Sequence, residues 1–321
     1  MIFEKQVVDL FKSKMYRRCD DTGKAYYFSV GDFDGLQRTP YPFTASAGHE
    51  LQGYLYHYAD PRPGRLIVFD HGFGGGHRSY LREIELLCRH GFLVLAYDHT
   101  GCMESGGETP NGLAQSLCDL NDCITTVKSD ARFYERTISV VGHSWGAFST
   151  LNITAMHPDI EHIVAISGFV SVPLMVETFF AGLLGGYRKA VLDLEMRSNP
   201  KFATFNAVDS LSGFNGKALL IYSDNDPMTR KKPHFDTLQR ELSHRRNIRL
   251  LLVSGKGHNP NYTSDAVGYL AEYTAKLAKL EKKKLLETDE QKAAFRASFD
   301  WRRMTEQDDA VWREIFRTLD S

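Results

Sequence analysis

Cysteine is scarce. The five present, Cys19, Cys88, Cys102, Cys118 and Cys123, are an odd number with no Cys-x-x-Cys pair. That excludes a disulfide-stapled secreted fold and a thiolate zinc site. No His/Cys/Asp cluster has ligand spacing, so no metal is expected. Charge of one sign is missing too: 39 Lys and Arg stand against 40 Asp and Glu, for a net charge of -1. A nucleic-acid binder would show a basic excess or a basic face. The longest like-charge run, Lys282-Lys283-Lys284, reads as a solvated helix face. No apolar run approaches the roughly 20 residues that cross a bilayer. The opening residues, MIFEKQVVDLFKSK, are amphipathic and charged, without the apolar core of a signal peptide. A cytoplasmic location is the expectation. No GxGxxG or GK[ST] phosphate loop occurs, and no cofactor is expected.

What is present is an alternation of strands and helices. Leu66–Phe69, Phe92–Tyr97, Thr137–Val141, Ile163–Ile166, Ala218–Tyr222 and Ile248–Val253 are short apolar runs. Between them lie helical patterns such as SYLREIELLCRHG, with Leu81, Ile84, Leu87 and Cys88 on one face. LAQSLCDLNDCITTVKS repeats the spacing with Leu113, Leu117, Leu120 and Ile124, and WGAFSTLNITAMH runs on to Pro158. Cys118 and Cys123 fall in the second of these as small buried hydrophobes. Continuous apolar strands separated by amphipathic helices predict a mostly parallel sheet covered on both faces. Glu50–Tyr58 alternates and predicts an antiparallel edge strand.

Two segments exceed this unit. Residues 170–216, with LMVETFFAGLLGGYRKAVLDLEM, are too long for a simple crossover and predict a helical cap. Its Phe179, Phe180, Leu183, Leu184 and Tyr187 are candidate pocket residues. The core is then 1–169 with 217–321. Near the C-terminus, Thr305 is a candidate N-cap for a helix with Val311, Trp312, Ile315, Phe316 and Leu319 on one stripe. Docking back on the domain is the simpler role for it, and a dimer contact the alternative.

Gly142-His143-Ser144-Trp145-Gly146 matches G-x-S-x-G between a predicted strand and a predicted helix. So sharp a turn strains the serine backbone and crowds its neighbours, and glycine at 142 and 146 relieves the crowding. Serine needs a base to become a nucleophile. His258, in LLLVSGKGHNP after the last strand, is the candidate. His143 should point away on so tight a turn, and His71 organises the glycine loop. His77 stays open. His49, His57, His90, His99, His157, His162, His234 and His244 read as surface or packing residues. In ALLIYSDNDPMT, either Asp224 or Asp226 could orient the base. The loop FDHGFGGGHRSY supplies an oxyanion donor, the Phe73 N–H, and Trp145 after the nucleophile supplies the other.

With HGFGGG, YDHTGCMESGG, GHSWGA, YSDNDPMT and GKGH in this order, the chain resembles the α/β-hydrolase superfamily. It looks closest to its monoacylglycerol-lipase and serine-aminopeptidase-like esterases, over about residues 45 to 275. The resemblance implies an α/β-hydrolase fold. Ser223, Asp226 and Thr229 fit the family's acid loop, which favours Asp226 over Asp224. After the fourth strand, Thr100 stands where the family has arginine, and Met103 where it has glycine. The first 40 residues and the tail after about 285 have no counterpart.

A serine hydrolase acting on a small-molecule carboxylic ester through an acyl-enzyme is therefore expected. Aminopeptidase, amidase and thioesterase activities are alternatives on the same fold, with Glu177 and Glu195 as anions for a substrate ammonium or, more simply, solvated helix residues. A non-catalytic binding protein on this scaffold is the rival outside enzymes, and three intact triad positions weigh against it.

Overall fold

The computed structural model describes residues 3–321, apart from the side chain of Leu183. One sheet contains β1 (Gln37–Pro40), β2 (Gly53–His57), β3 (Arg65–Asp70), β4 (Leu93–Tyr97), β5 (Thr137–His143), β6 (His162–Ile166), β7 (Lys217–Ser223) and β8 (Ile248–Val253). Their order is β1-β2-β4-β3-β5-β6-β7-β8. β2 is antiparallel to both neighbours, and every pairing from β4 to β8 is parallel. This is the mostly parallel sheet that the α/β-hydrolase resemblance implied.

One strand prediction needs correction. Glu50–Tyr58 is broken at Gln52: Glu50–Leu51 pairs with Phe43–Thr44 in a separate ribbon, and only β2 joins the main sheet. Nor is β2 the edge. β1 lies outside it, exposed along its whole length. Pro40 is tolerated there because an edge strand can leave one ladder donor unmade.

Side chains alternate across a strand, so each strand feeds two cores. Leu66 and Val68 of β3 pack with Leu117, Leu120 and Ile124 of α3 (Gln115–Ser129) and with Phe148 and Leu151 of α4 (Trp145–Asn152). Ile67 and Phe69 face the other way. They meet Leu81, Ile84 and Leu87 of α2 (Leu81–Arg89) and the stripe Val311, Trp312, Ile315 and Leu319 of the last helix, Asp309–Leu319. That helix docks on its own sheet, against β6 and β7, so its stripe is buried within the chain. Its N-cap is Asp308, whose carboxylate accepts from the Ala310 and Val311 N–H groups at 2.8 and 3.3 Å. Thr305 instead donates to the Trp301 carbonyl.

Residues 170–216 contain three helices, numbered on from α4: α5 (Val172–Phe179), α6 (Arg188–Ser198) and α7 (Ala207–Ser212). α5 packs on α6, and α7 returns to the sheet layer against α4 and Phe235–Leu242. The N-terminal helix α1 (Glu4–Met15) packs on α6, with Phe11 against Phe180 at 6.0 Å between ring centroids. Among the described residues no helix is long and apolar enough to cross a membrane.

α6 carries a second correction. Glu195 is not solvated but 1% exposed. It accepts from the Leu113 N–H at 2.7 Å and from the Tyr16 hydroxyl at 3.2 Å. Burial pushes its carboxyl up to about 7, against the lowering pull of those two donors. Burial does the same to Glu83, also up to about 7. An acid that holds its proton more tightly when folded contributes stability below its unfolded pKa and loses it as pH rises through the folded value. Their contribution should therefore fall from about pH 5 to about pH 8, by up to about 3 kcal/mol for Glu195. Glu195→Gln should remove that share of the slope, as followed by thermal unfolding at each pH.

Candidate active site

β5 ends at His143 and α4 begins at Trp145, so Ser144 alone makes the turn, at φ 56° and ψ -110°. Such a backbone is strained for a residue with a side chain. The elbow closes only because its flanks are bare. A Cβ on Gly146 would overlap the Asp70 carbonyl, and one on Gly142 would overlap Thr150 Oγ1 and the Gly146 backbone. The Ser144 N–H donates to the Ile166 carbonyl at 2.8 Å, which ties the turn to β6.

His258 arrives from the loop after β8. Its Nε2 lies 2.8 Å from Ser144 Oγ, and its Nδ1 lies 2.7 Å from Asp226 Oδ2. Asp226 is buried and accepts at every face. Its Oδ1 takes the Met228 and Thr229 N–H groups, and its Oδ2 also takes the Thr229 hydroxyl at 2.7 Å. Burial works to raise its pKa, but the His258 hydrogen bond, the His258 charge and the other donors prevail and hold the carboxyl below its ordinary value. The aspartate is therefore a carboxylate that can only accept.

The acid loop and the histidine loop are bonded to each other step by step. Asp224 accepts from the Ser254 hydroxyl at 2.7 Å and the Gly255 N–H at 2.9 Å. Ser223 Oγ accepts from the Lys256 N–H, and Asn225 Oδ1 from the Gly257 N–H. Lys256 Nζ then reaches the Tyr262 carbonyl and Asp308, at the start of the last helix. Asp224 thus holds the loop that carries His258 and does not touch the imidazole.

Two further histidines underpin the site in ways that were not foreseen. His143 packs beside His258, with ring centroids 5.0 Å apart. Its Nε2 lies 2.8 Å from the His258 carbonyl, and its Nδ1 2.9 Å from the Tyr80 hydroxyl. A carbonyl only accepts, so Nε2 carries the proton and Nδ1 accepts from Tyr80. Burial pushes the His143 pKa down to about 3, which keeps the ring neutral. His99, read as surface or packing, is fully buried between Asp70 at 2.7 Å and Asp119 at 3.2 Å. Burial opposes its charge, but the Asp70 charge and the bonds to both carboxylates raise its pKa to about 10. This imidazolium lies 4.7 Å from the Trp145 ring. His71 does organise the glycine loop: it sits 2.8 Å from the Gly72 carbonyl and accepts from the His99 N–H. His77, left open above, binds Asp98 and the Tyr56 hydroxyl.

The Phe73 and Trp145 N–H groups have no acceptor among the described residues. Their side chains pack edge to face at 5.2 Å, and the Trp145 indole donates to the Leu113 carbonyl at 2.7 Å. Where Thr100 replaces arginine, its hydroxyl and N–H donate to Asp119. Arg18, from the N-terminal segment, supplies a guanidinium to the carbonyls of Met103, Ser105 and Gly107 in that same loop. A cleft of about 690 Å³ opens beside Phe73 and Gly74, walled by the N-terminal segment.

The cap residues divide. Phe179 and Tyr187 are half-buried against the core, Phe180 is buried against Phe11, and Leu184 is 47% exposed. Phe180 thus packs on the N-terminal helix, and Leu184 stands at the surface. The Leu183 side chain lies outside the described residues. Cys118 is partly exposed, unlike Cys123, which is buried.

Residues 61–243, more than half of the chain, match the family model described as serine aminopeptidase, S33. Uncharacterized protein YqkD of Bacillus subtilis is 25% identical over 208 residues, which cover 59% of this chain and 65% of that protein, just under two thirds of its length. The esterase Pf2001 of Pyrococcus furiosus superimposes with a TM-score of 0.58 at 18% identity, over 81% of this chain and 96% of that one. Acetyl xylan esterase 1 of Thermoanaerobacterium sp. JW/SL YS485 gives 0.56 at 15% identity, over 80% and 89%. At such identities the two structures speak for the fold, and the family model for descent: the chain belongs to the serine aminopeptidase S33 family of α/β-hydrolases.

Proposed function

We propose that the protein is a serine hydrolase of small-molecule carboxylic esters. The observation that carries this reading is His258, which touches Ser144 Oγ and Asp226 with its two ring nitrogens at 2.8 and 2.7 Å. His258 Nε2 takes the Ser144 proton as Oγ attacks the carbonyl carbon. Asp226 holds the Nδ1–H and stabilises the imidazolium that forms. The Phe73 and Trp145 N–H groups receive the oxyanion. The intermediate collapses, His258 hands its proton to the departing alcohol, and the acyl group stays on Ser144 until water removes it. α5 and α6 act as the cap, with Phe179 and Tyr187 toward the acyl chain. Five free cysteines fit a cytoplasmic enzyme.

Amide cleavage at a peptide N-terminus is the second reading. A cavity of about 320 Å³ lined by Asp20, Asp21, Asp98 and Glu104, with Arg78, offers the acidic surroundings that an ammonium needs. Glu195 is closed to that role by Leu113 and Tyr16.

A fluorophosphonate probe and a panel of aryl esters, matched aminoacyl amides and thioesters test the proposal together. The probe should label the peptide carrying Ser144 in one-to-one ratio, and the esters should turn over faster than the amides. Labelling at another residue, or none, overturns the hydrolase assignment. Amides turning over faster than matched esters transfers it to the second reading.

A further inference from the structure

The N-terminal segment meets the loop after β4 in a single step of parallel pairing, and two cysteines stand at its centre. The Cys19 N–H donates to the Gly101 carbonyl at 2.9 Å, and the Met103 N–H donates to the Cys19 carbonyl at 3.0 Å. This sets Cys19 directly opposite Cys102. Paired backbones of this kind run about 4.8 Å apart, inside the roughly 4.4–6.8 Å between Cα atoms that a disulfide spans. The Cys19 thiol donates to the Arg17 carbonyl at 3.7 Å. Arg18, the preceding residue, fastens the same loop through three carbonyls. The backbone thus holds the two free cysteines opposite each other.

Their surroundings differ. Cys102 is fully buried, whereas Cys19 is partly exposed and lines the cleft beside Gly74. The neighbouring Cys102 thiol and the Gly74 N–H, against the effect of burial, hold the Cys19 thiol below its ordinary value. Cys118, the other partly exposed cysteine, is pushed up to about 12 by burial and is a poor nucleophile at neutral pH. An accessible sulfur with thiolate character beside a protected resolving thiol is the arrangement that redox-active cysteines require.

We propose that Cys19 and Cys102 form a reversible dithiol–disulfide site that takes a hydroperoxide as its oxidant. The Cys19 thiolate attacks the peroxide oxygen, the O–O bond breaks and an alcohol or water leaves, so that Cys19 becomes a sulfenic acid. The Cys102 sulfur then forms the S–S bond, and its proton leaves with the hydroxyl as water. Two thiols lose two electrons and one peroxide gains them. A dithiol reductant reverses the step. The proposal does not depend on the hydrolase reading.

The test uses the full-length protein and hydrogen peroxide. Titratable thiols should fall from five by two, peptides carrying Cys19 and Cys102 should be joined, and dithiothreitol should restore both thiols. Cys118→Ser should still lose two. In Cys102→Ser, a dimedone adduct should accumulate on Cys19. The wild-type peptide map stands even if that variant folds poorly. A cross-link between any other pair, five persisting thiols, or sulfinic acid on Cys19 with Cys102 still reduced overturns the proposal.

Discussion

Replacing Ser144 by alanine should lower kcat for an aryl ester by roughly a millionfold, and replacing His258 by alanine should do about the same. The two losses are equal because the groups act as one unit. Oγ without a base keeps its proton, and the base without Oγ has nothing to activate. The double variant should therefore be no worse than either single one. A residue of roughly 10³- to 10⁴-fold over water should survive all three, carried by the oxyanion donors and substrate binding. Steady-state kinetics on the four proteins decide it, with circular dichroism to show that the fold is intact. Activity within tenfold of the parent in Ser144→Ala would move the nucleophile elsewhere.

Asp226→Asn should cost about 10⁴ in kcat, and Asp224→Asn less than about tenfold. The reason lies in the acceptor pattern. Asp226 Oδ1 takes two backbone N–H groups, from Met228 and Thr229. An asparagine must keep its oxygen there, so its NH₂ falls at the Oδ2 position, facing His258 Nδ1. The ring then has to accept at Nδ1 and carry its proton on Nε2, where it can no longer deprotonate Ser144. Asp224 is exposed and its partners are a hydroxyl and an N–H in the histidine loop. An asparagine oxygen can accept from the Gly255 N–H while its NH₂ donates to the Ser254 hydroxyl, which can accept as well as donate. A large loss in Asp224→Asn with Asp226→Asn nearly intact would exchange their roles.

The central strands were legible because a strand buried on both faces must be a continuous apolar run. Leu66–Phe69 differs from Arg65–Asp70 by one residue at each end. The meeting of Ser144, Asp226 and His258 was legible for the same reason: each follows a parallel strand, and parallel strands deliver their carboxyl ends to one edge. What escaped was set by partners distant in the chain. β1, QRTP, has no apolar alternation, since nothing covers it. Glu195 looks like any charged helix residue until Leu113 and Tyr16 close over it. His99 becomes a buried imidazolium only between Asp70 and Asp119, and no spacing announces that. Thr305 fitted a capping pattern, but it closes the short helix Trp301–Met304, Gln307 then pairs with Tyr262, and the last helix waits for Asp308.

The N-terminal segment is tied down by residues far along the chain. Tyr16 is bonded to Glu195, Cys19 to Gly101, Lys24 to Glu281, and Gly23 to Arg296. On a ribosome adding about 5–20 residues per second, Arg296 emerges roughly 14 to 55 s after Gly23. This segment therefore has no complete docking surface until Arg296 has been made. Its last ties close only then, as a strap over a sheet whose final strand, β8, was made earlier.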